Sequence, residues 1–548
     1  MDGISQGARD GGANMSMDEV YAENCRKQFQ FTIHYSLHSS YSSPMTKKYI
    51  EKILTARVYD VAIETPLEPA TTLSKRLNNQ VLLKREDLQS VFSFKLRGAY
   101  NCIYQLTQSK KVKGVVAASA GNHAQGVALA AKKLGLDAII VMPKTTPGIK
   151  VDAVKSYGAK AVLIGDNYDE ACAYATDFAV KQKLDFIHPY DDSNVIAGQG
   201  TVGLEIVRQH ADFIDAIFVP VGGGGLIAGV GTIVKYLSPK TKIIGVEPAD
   251  AACMAAALDK NRRVKLDHVG IFADGVAVRQ AGKETFRVAK QCIDEIITVT
   301  TDEICAAIKD IFDDTRSITE PAGALAVAGV KKYIAKKKIV DKTLIAINSG
   351  ANMNFDRLRH VSERAEIGEQ REALFAVTIP ERPGSFKAFC KTIGKRGITE
   401  FNYRYSDNDD AQVFAGVQLR DGLNERKELI SKLKSKKYPV LDMTDNEMAK
   451  MHIRHLVGGR AALLDEVLYR FEFPERPGAL LDFLTKIGTR WNISLFHYRN
   501  HGAAFGRVLV GLQIPEGERK ELVQYLDTLA YPYWEETENP AYQLFLSV

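Results

Sequence analysis

Hydrophobic and polar positions follow two different patterns along this chain, and the change falls near residue 362. From residue 46 onward, short β-branched runs precede stretches with helical apolar spacing, as in GVVAAS then NHAQGVALAAKKLG, and DAIIVMP then IKVDAVKSYG. Strands separated by amphipathic helices are typical of βαβ units. We therefore predict an α/β domain over residues 46–362, built on an open parallel sheet with helices on both faces.

The rest of the chain contains an internal repeat. LFAVTIPERPGSF, beginning at Leu374, recurs as LYRFEFPERPGAL at Leu468, and ITEFNYRY at Ile398 recurs as ISLFHYRN at Ile493. Each copy reads strand, helix, strand, strand, helix, strand, which is the order of a ferredoxin-like α+β domain. We predict two such domains, over residues 372–445 and 466–548, joined by the segment Thr444–Arg460.

Composition excludes several classes of protein. Of the 548 residues, 45% are hydrophobic and 25% are charged, which is ordinary for soluble globular domains. The net charge of +6 is spread along the chain, which argues against nucleic acid as a partner. The longest uncharged run, Ala216–Val234, contains six glycines and a proline, so we interpret it as strand, loop and helix and predict no membrane partner.

Cysteine usage and the N-terminus bear on the cellular compartment. Seven widely spaced cysteines form no C-x-x-C motif, and the histidine pairs have no carboxylate or cysteine company, so no disulfide framework and no metal site are predicted. A reducing compartment, the cytoplasm, is favoured. Residues 1–45 are rich in Gly, Ser, Asn and Asp and have no signal-peptide core, so we predict a disordered tail.

A run of four glycines, Gly222–Gly225, lies between an apolar strand and a predicted helix. Backbone N–H groups at such a helix N-terminus favour an anion, and we expect a phosphate. The segment from Gly223 to Ala228 also matches the dinucleotide fingerprint G-x-G-x-x-A, with Glu247 at the end of the next strand. From this segment alone, a nicotinamide-dependent enzyme is the alternative.

Three further features favour a cofactor with one phosphate and an aldehyde, pyridoxal phosphate. Lys95 lies among apolar residues that favour its neutral amine, so it is the candidate for the Schiff base with the cofactor. Asn122 is expected to hydrogen-bond the ring hydroxyl, and Ser349, just past an apolar strand, to meet the ring nitrogen. Asn122 belongs to the polar loop SAGNHAQG, Ser119–Gly126. Backbone donors of this loop are candidates for binding the substrate carboxylate, at Ser119, Ala120, Gly121 and His123.

With these residues in place, the chain resembles a known family. SFKLRGA, SAGNHAQGVA, PVGGGGL, EPAGALA and SGAN occur in the order and approximate spacing of the threonine/serine dehydratases, pyridoxal-phosphate enzymes of the tryptophan synthase β-like fold, fold type II. The doubled C-terminal module resembles the ACT-like regulatory pair of biosynthetic threonine dehydratases. The resemblance covers about residues 49–548. It implies that the cofactor is held by Lys95, Asn122 and Ser349 and that its phosphate is held by Gly222, Gly223, Gly224, Gly225 and Leu226.

The resemblance also implies an activity. Members of the family convert L-threonine, and secondarily L-serine, to a 2-oxo acid and ammonia, so we expect 2-oxobutanoate as the product and the first step of isoleucine biosynthesis as the role. A homotetramer, inhibition by isoleucine and opposition by valine are expected on the same ground. A serine-preferring dehydratase, a racemase of the same fold and a catalytically inactive amino-acid sensor remain the alternatives.

Other residues have weaker assignments from the sequence. Glu320 either lines the cofactor pocket or begins a helix at Pro321, Arg97 is interpreted as a surface or structural partner, and Ser93 as a helix cap or part of a proton relay. In the repeats, the PERPG turns and two matched tyrosines are candidates for binding effectors. These candidates are Glu381, Arg382, Pro383, Gly384 and Tyr403 in the first copy, and Glu475, Arg476, Pro477, Gly478 and Tyr498 in the second.

Overall fold

A computed structural model describes residues 44–165, 167–355, 357–404, 410–451, 453–455, 463, 465–474, 479–488, 490–499, 505–529, 531–539, 542 and 546. The predicted N-terminal tail thus lies almost wholly outside the described residues. The described residues form two compact units. The first contains the chain up to Val299 together with Asp314–Asn352, and the second contains Thr300–Asp313 and the chain from Met353. No described helix is both long and apolar enough to cross a membrane.

The first unit alternates strands and helices, as the hydrophobic pattern predicts. Its strands are β1 (Leu67–Pro69), β2 (Gln80–Arg85), β3 (Val115–Ala118), β4 (Ala138–Met142), β5 (Lys160–Leu163), β6 (Asp185–Phe186), β7 (Ala216–Pro220), β8 (Lys242–Pro248), β9 (Glu295–Val299) and β10 (Thr343–Asn348). Its helices are α1 (Pro44–Leu54), α2 (Thr71–Leu77), α3 (Lys95–Ser109), α4 (Asn122–Lys133), α5 (Gly148–Ser156), α6 (Tyr168–Gln182), α7 (Ser193–Gln209), α8 (Gly225–Leu237), α9 (Cys253–Asp259), α10 (Lys283–Ala289) and, after α11 (Thr301–Thr315), α12 (Pro321–Lys337).

The strands of the first unit form two sheets. One has six strands in the order β1-β2-β10-β7-β8-β9, parallel except for β1, and the other has four parallel strands in the order β5-β4-β3-β6. The prediction of a single open sheet is therefore wrong. The hydrophobic pattern identifies βαβ units, but which strands pair is decided by tertiary packing.

Helices α3 and α7 pack closely against each other near Lys95, the first residue of α3. A Cβ atom on Gly198 would lie 2.6 Å from the Arg97 carbonyl oxygen, and one on Gly98 would lie 2.4 Å from the Gln199 side chain. Glycine is required at both positions, because any side chain would force the two helices apart. The helix that presents Lys95 is thus held against a buried neighbour along its first turn.

The second unit contains both copies of the repeat. The first copy comprises β11 (Glu372–Pro380), α14 (Ser385–Ile393), β12 (Ile398–Arg404), β13 (Asp410–Gln418), α15 (Gly422–Ser435) and β14 (Val440–Asp442), and α13 (Arg357–Gly368) precedes it. After α16 (Glu447–Met451), the second comprises β15 (Glu466–Pro474), α17 (Ala479–Ile487), β16 (Asn492–Arg499), β17 (Phe505–Gln513), α18 (Arg519–Thr528) and β18 (Tyr533–Glu535). The predicted βαββαβ order is present in both copies.

The two copies share one eight-stranded sheet in the order β14-β11-β13-β12-β16-β17-β15-β18. They join where β12 pairs antiparallel with β16, and Asn402 there lies opposite His497, its counterpart in the repeat. One aromatic core, including Phe386, Phe401 and Phe496, packs on this sheet. The domain boundaries drawn from the sequence stay predictions, since the second unit also contains most of α11.

Candidate active site

Lys95 begins α3 and lies in a largely apolar setting. Its Nζ donates a hydrogen bond to the Pro189 carbonyl oxygen at 3.3 Å and lies 5.3 Å from the centre of the Phe94 ring. Burial lowers the pKa of the Lys95 amine to about 8, against the opposing attraction of Glu320. This lowered pKa leaves a larger fraction of the amine unprotonated near neutral pH than in an exposed lysine, which suits nucleophilic and base chemistry.

The glycine run forms the turn between β7 and α8. Gly224 has a φ of +96°, in the left-handed region that favours glycine. A Cβ atom on Gly223 would lie 2.3 Å from the Tyr190 ring, and one on Gly222 would lie 2.9 Å from the Val276 Cα. Packing behind the loop therefore excludes side chains and leaves backbone N–H groups at the N-terminus of a buried helix, which is the arrangement that binds phosphate.

Hydrogen bonds from the start of helix α10 fix the orientation of the glycine loop. The Gly223 carbonyl oxygen accepts hydrogen bonds from the Thr285 hydroxyl at 2.6 Å and from the Gly282 N–H at 3.2 Å. Asp191 in turn accepts from the N–H groups of Lys283, Glu284 and Thr285, so it fixes the start of α10. With the Gly223 carbonyl engaged, the loop is held in one conformation.

Asn122 begins α4 and has a partner on each side of its amide. Its Nδ2 donates to Glu320 Oε1 at 2.7 Å, and its Oδ1 accepts from Asn352 Nδ2 at 2.6 Å. Glu320 is buried at the start of α12, with Pro321 as the first helical residue and no side-chain capping bond. The interpretation of Glu320 as the start of a helix is confirmed, and its contact with Asn122 leaves its place in a cofactor pocket a prediction.

A chain of contacts connects these groups. Lys95 bonds to Pro189, the neighbouring Tyr190 packs against Gly223, and Gly222 packs against Val276. Gly275 approaches both Glu320 and Asn122, and a Cβ atom on it would lie 3.4 Å from Glu320 Oε1. The loops after β3, β7 and β10, which the sequence places at strand ends, therefore meet at one site in the first unit, although they come from two sheets.

Two serines lie next to this site. Ser349 follows β10, is 3% exposed, and its hydroxyl donates to the Ala322 carbonyl oxygen at 3.3 Å. Its own carbonyl accepts from the Phe94 N–H at 3.3 Å. The Ser93 hydroxyl is buried with no hydrogen-bond partner among the described residues. Its interpretation as a helix cap is wrong, because the N-cap of α3 is Phe94, without a side-chain capping bond.

The polar loop before α4 is only partly buried over residues 119–122. Within it, the Ser119 hydroxyl accepts from the Gly121 N–H at 3.2 Å. The His123 ring bonds to the Ile187 carbonyl oxygen at 2.9 Å, and burial lowers the pKa of that ring to about 3, so it is neutral. The side chain of His123 is thus engaged with the protein, and what Ala120 and its neighbours present to a ligand is backbone.

Arg97 is fully buried, so the surface interpretation is wrong and the structural one is confirmed. Its guanidinium pairs with Glu86 at 2.8 Å and with Glu205 at 2.5 Å, and Glu205 also pairs with the buried Lys84 at 2.6 Å. Burial alone would raise the pKa of the Glu86 carboxyl, but the charge and hydrogen bonds of Arg97 outweigh it and leave that pKa below its usual value. This buried ion-pair network fixes the position of α3.

Glu247, the acidic residue that a dinucleotide site would need, has other partners in the structure. Both carboxylate oxygens of Glu247 accept backbone N–H groups at the start of α9, from Met254 and Ala255, each at 2.8 Å. Glu247 is therefore engaged inside the protein and is not free to bind a ribose. Among the described residues, no group of three or more His, Cys, Asp and Glu side chains is placed to hold a metal ion.

In the second unit, two of the effector candidates contact each other. The Tyr403 hydroxyl donates to Glu381 Oε2, and Asn492 Nδ2 from the other copy donates to Glu381 Oε1 at 3.4 Å. Burial raises the pKa of the Glu381 carboxyl, against these hydrogen bonds. Arg382 and Pro383 lie in the turn before α14, and Gly384 caps that helix with a φ of +90°.

The second copy is less fully described. Tyr498 lies in β16, is 1% exposed and pairs with Phe401 of the first copy. Glu475, Arg476, Pro477 and Gly478 lie outside the described residues. The two copies differ at one contact position, because Asn492 at the start of β16 corresponds to Gly397 in the first copy.

Sequence reasoning missed several residues around these sites. Asn352 is the last residue of the quoted SGAN motif, so the motif contained its signal, although only the serine was assigned from it. Tyr190, Thr285 and Asn492 lie in segments with no motif, and only tertiary contacts identify them.

Comparison with known families agrees with this geometry. Residues 58–350 match the family described as pyridoxal-phosphate dependent enzyme. Residues 363–453 and 457–546 each match the C-terminal regulatory domain of threonine dehydratase. The two matched families correspond to the site around Lys95 and to the repeated module.

Relatives match along most of the chain. The protein is 56% identical over 503 residues to the L-threonine dehydratase biosynthetic IlvA of Burkholderia multivorans, covering 91% of this chain and 99% of the relative. It is 52% identical to the chloroplastic biosynthetic threonine dehydratase of Arabidopsis thaliana, covering 91% of this chain and 84% of the relative.

Solved structures resemble more than half of the chain. The processed form of threonine deaminase isoform 2 from Solanum lycopersicum has a TM-score of 0.58 at 52% identity, covering 59% of this chain and 94% of that one. Maize serine racemase has a TM-score of 0.53 at 32% identity, covering 57% and 96%. The chain therefore belongs to the pyridoxal-phosphate-dependent enzymes of fold type II, in the biosynthetic threonine dehydratase family that carries a C-terminal regulatory domain.

Proposed function

We propose that the protein is a threonine ammonia-lyase that converts L-threonine to 2-oxobutanoate and ammonia, the first step of isoleucine biosynthesis. The observation that carries the proposal is Lys95, whose buried amine has a pKa of about 8 and lies where the glycine loop and the Asn122 loop meet. Relatives at 52–56% identity over nine-tenths of the chain are named threonine dehydratases.

The residues present fit pyridoxal phosphate. Lys95 would hold its aldehyde, the N–H groups of Gly222–Leu226 its phosphate, Asn122 its ring hydroxyl and Ser349 its ring nitrogen. When bound, this cofactor supplies an aldehyde that takes up amines and a ring that withdraws electrons from the carbon next to the amine. The excluded Cβ positions on the glycine loop and the free amine of Lys95 support the fit.

The chain supplies positioning and proton transfer. The neutral Nζ of Lys95 accepts the proton from the α-carbon of threonine and holds it close to the site. The segment Ser119–His123 at the N-terminal end of α4 binds the substrate carboxylate, through the backbone N–H groups of Ala120 and His123 and the Ser119 hydroxyl, because the Ser119 N–H donates to the Val141 carbonyl oxygen and the Gly121 N–H to the Ser119 hydroxyl. A carboxylate beside the ring nitrogen would favour its protonation, whereas Ser349 offers a neutral hydroxyl. Negative charge on the α-carbon is therefore weakly stabilised and short-lived, and loss of the β-hydroxyl is favoured.

We further propose that the second unit binds isoleucine as inhibitor and valine as its antagonist, with Glu381 and Tyr403 among the contacts. The hydrogen bonds of Glu381 to Tyr403 and Asn492 support a polar site between the two copies of the repeat. Such regulation requires the two effectors to prefer different states of the protein. The homotetramer and the cytoplasmic location stay predictions.

A serine-preferring dehydratase or a racemase is the second candidate, because maize serine racemase shares the fold of the first unit at 32% identity. Turnover of threonine and of serine by the same preparation, with and without isoleucine, separates the two candidates. A higher kcat/KM for serine than for threonine would favour the second.

The assignment of Lys95 is tested by replacing it. Lys95→Ala is expected to abolish ammonia release from threonine, whereas Lys110→Ala, which removes an exposed lysine just after the same helix, leaves it unchanged. Borohydride reduction of the wild-type protein with pyridoxal phosphate, followed by peptide mass spectrometry, is expected to find the adduct on Lys95. Full activity in Lys95→Ala, or an adduct elsewhere, would overturn the proposal.

A further inference from the structure

Glu320 is a buried carboxylate that attracts Lys95 and Lys150 without forming an ion pair with either. It is 3% exposed, and among the described residues no lysine or arginine forms an ion pair with it. Gly275 and Gly350 close over Oε1, where Cβ atoms would lie 3.4 Å and 2.8 Å away. Burying an unpaired carboxylate costs free energy, so its persistence here points to a role at the site.

The role follows from the chemistry of the amide it contacts. Asn122 has an NH₂ group that only donates and a carbonyl oxygen that only accepts. Asn352 Nδ2 donates to that oxygen and also to the Val91 carbonyl at 2.8 Å, so Asn352 is itself held in place. The carboxylate of Glu320 accepts from the NH₂ group on the other side. A donor on one side and an acceptor on the other determine which way the amide faces.

We propose that Glu320 is a positioning residue that, with Asn352, holds the Asn122 amide in one orientation and leaves its second N–H as the group offered to the cofactor. The proposal rests on the proposed function, since it assumes a pyridoxal phosphate site at Lys95. If the acceptor at residue 320 were lost, Asn352 alone would hold the amide through its oxygen, and the NH₂ group would be held less strictly in the orientation offered to the cofactor.

Protonation of Glu320 would weaken this arrangement. Burial and, to a smaller extent, the nearby Asp274 raise the pKa of the Glu320 carboxyl to about 7, against the Asn122 hydrogen bond, the attraction of Lys150 and a hydrogen bond from the Asn352 backbone. The other charged group that faces it is Lys95, and Asp274 is itself paired with Lys150 at 2.8 Å. A neutral carboxylic acid can donate as well as accept, so below this pH the amide is held less strictly.

The test uses the full chain and measures cofactor binding and its absorbance. Glu320→Ala is expected to raise the dissociation constant of pyridoxal phosphate about three- to tenfold, the effect of one lost hydrogen bond. Glu320→Gln keeps an oxygen acceptor and is expected to bind within about twofold of wild type while losing a step near pH 7 in the absorbance titration of the bound cofactor. Glu247→Gln, which alters a buried carboxylate that accepts hydrogen bonds from Met254, Ala255 and the Cys253 side chain at the start of α9, is the matched control and keeps that step.

Asn352→Ala provides a second variant if Glu320→Ala does not fold, and it is expected to weaken cofactor binding in the same range. Wild-type affinity and an unaltered absorbance titration in Glu320→Ala would overturn the inference, and where that variant does not fold, a retained step near pH 7 in Glu320→Gln would do so. Failure of the proposed function is distinguishable, because borohydride reduction of the wild type would then leave Lys95 unlabelled. Labelling of Lys95 together with wild-type behaviour of the tested variant would refute the role of Glu320 alone.

Discussion

Two basic residues at the start of α3 show how surroundings decide the role of a side chain. Lys95 and Arg97 are two positions apart, yet Lys95 donates only to a backbone carbonyl while Arg97 pairs with two buried glutamates. Removing one partner from a buried ion pair costs about 3–5 kcal/mol, so the Arg97 network serves to hold the helix. Lys95, which forms no such ion pair, has a pKa lowered toward neutrality by burial, and this suits the nucleophilic role proposed for it.

The lowered pKa of Lys95 predicts how the cofactor-free protein takes up pyridoxal phosphate. Only the neutral amine attacks an aldehyde, so the rate of uptake is expected to rise about tenfold per pH unit below pH 8 and to level off above it. Stopped-flow absorbance from pH 6 to 10 measures this rate. A rate that continues to climb up to pH 10 would indicate an ordinary, exposed lysine.

At the scale of elements, the site is built where strand ends meet helix starts. Lys95, Asn122 and Gly225 are each the first residue of a helix, and the glycine loop and the Asn122 loop each follow a parallel strand. Helix N-termini present free N–H groups, so three of them around one site favour an anionic ligand. The glycine loop depends most on close packing, because Tyr190, Val276 and Met254 occupy the space behind it.

Gly223→Ala is therefore expected to weaken cofactor binding at least tenfold, because the added Cβ would lie 2.3 Å from the Tyr190 ring and would displace the loop or the ring. Gly148→Ala at the start of α5 is the matched control, since a Cβ atom there meets nothing within 4 Å. Titration of each cofactor-free variant with pyridoxal phosphate compares them. Equal affinities would mean that the glycine loop does not hold the phosphate.

At the scale of the whole molecule, the division between the two compact units falls within α11. Most of α11 groups with the repeats, whereas its continuation from Asp314 groups with the first unit. Asp302 at the start of α11 pairs with Arg364 of α13 and with Lys450 of α16 at 2.9 Å, and Arg364 pairs with Glu447 at 2.7 Å. At the other end, the Asp314 carboxylate accepts the Thr72 and Leu73 N–H groups at the start of α2.

The proposed regulation predicts that isoleucine acts through the repeats. Tyr403→Phe removes the hydroxyl that donates to Glu381 and is expected to raise the isoleucine concentration for half-inhibition about fivefold, with threonine turnover unchanged. Tyr438→Phe, which alters a partly buried tyrosine packed on Phe389 in the same copy, is the matched control. If isoleucine inhibited both variants equally, Tyr403 would not belong to the effector site.

Local features of the sequence determined much of this protein. The alternation of strands and helices, the two βαββαβ copies, and the placement of Lys95, Asn122, Gly222–Gly225 and Ser349 at element ends all follow from periodicity and motifs. These features depend on neighbours a few residues apart, so one chain is enough to predict them.

Only the tertiary structure decided the rest. It divided the predicted single sheet in two, buried Arg97, left Ser93 without a cap role, and brought Glu320 and Asn352 into contact with the two polar atoms of the Asn122 amide. Each of these facts depends on residues tens to hundreds of positions apart. Strand pairing, burial and the partners of a buried polar group are set by how the whole chain packs, and local pattern carries no record of that packing.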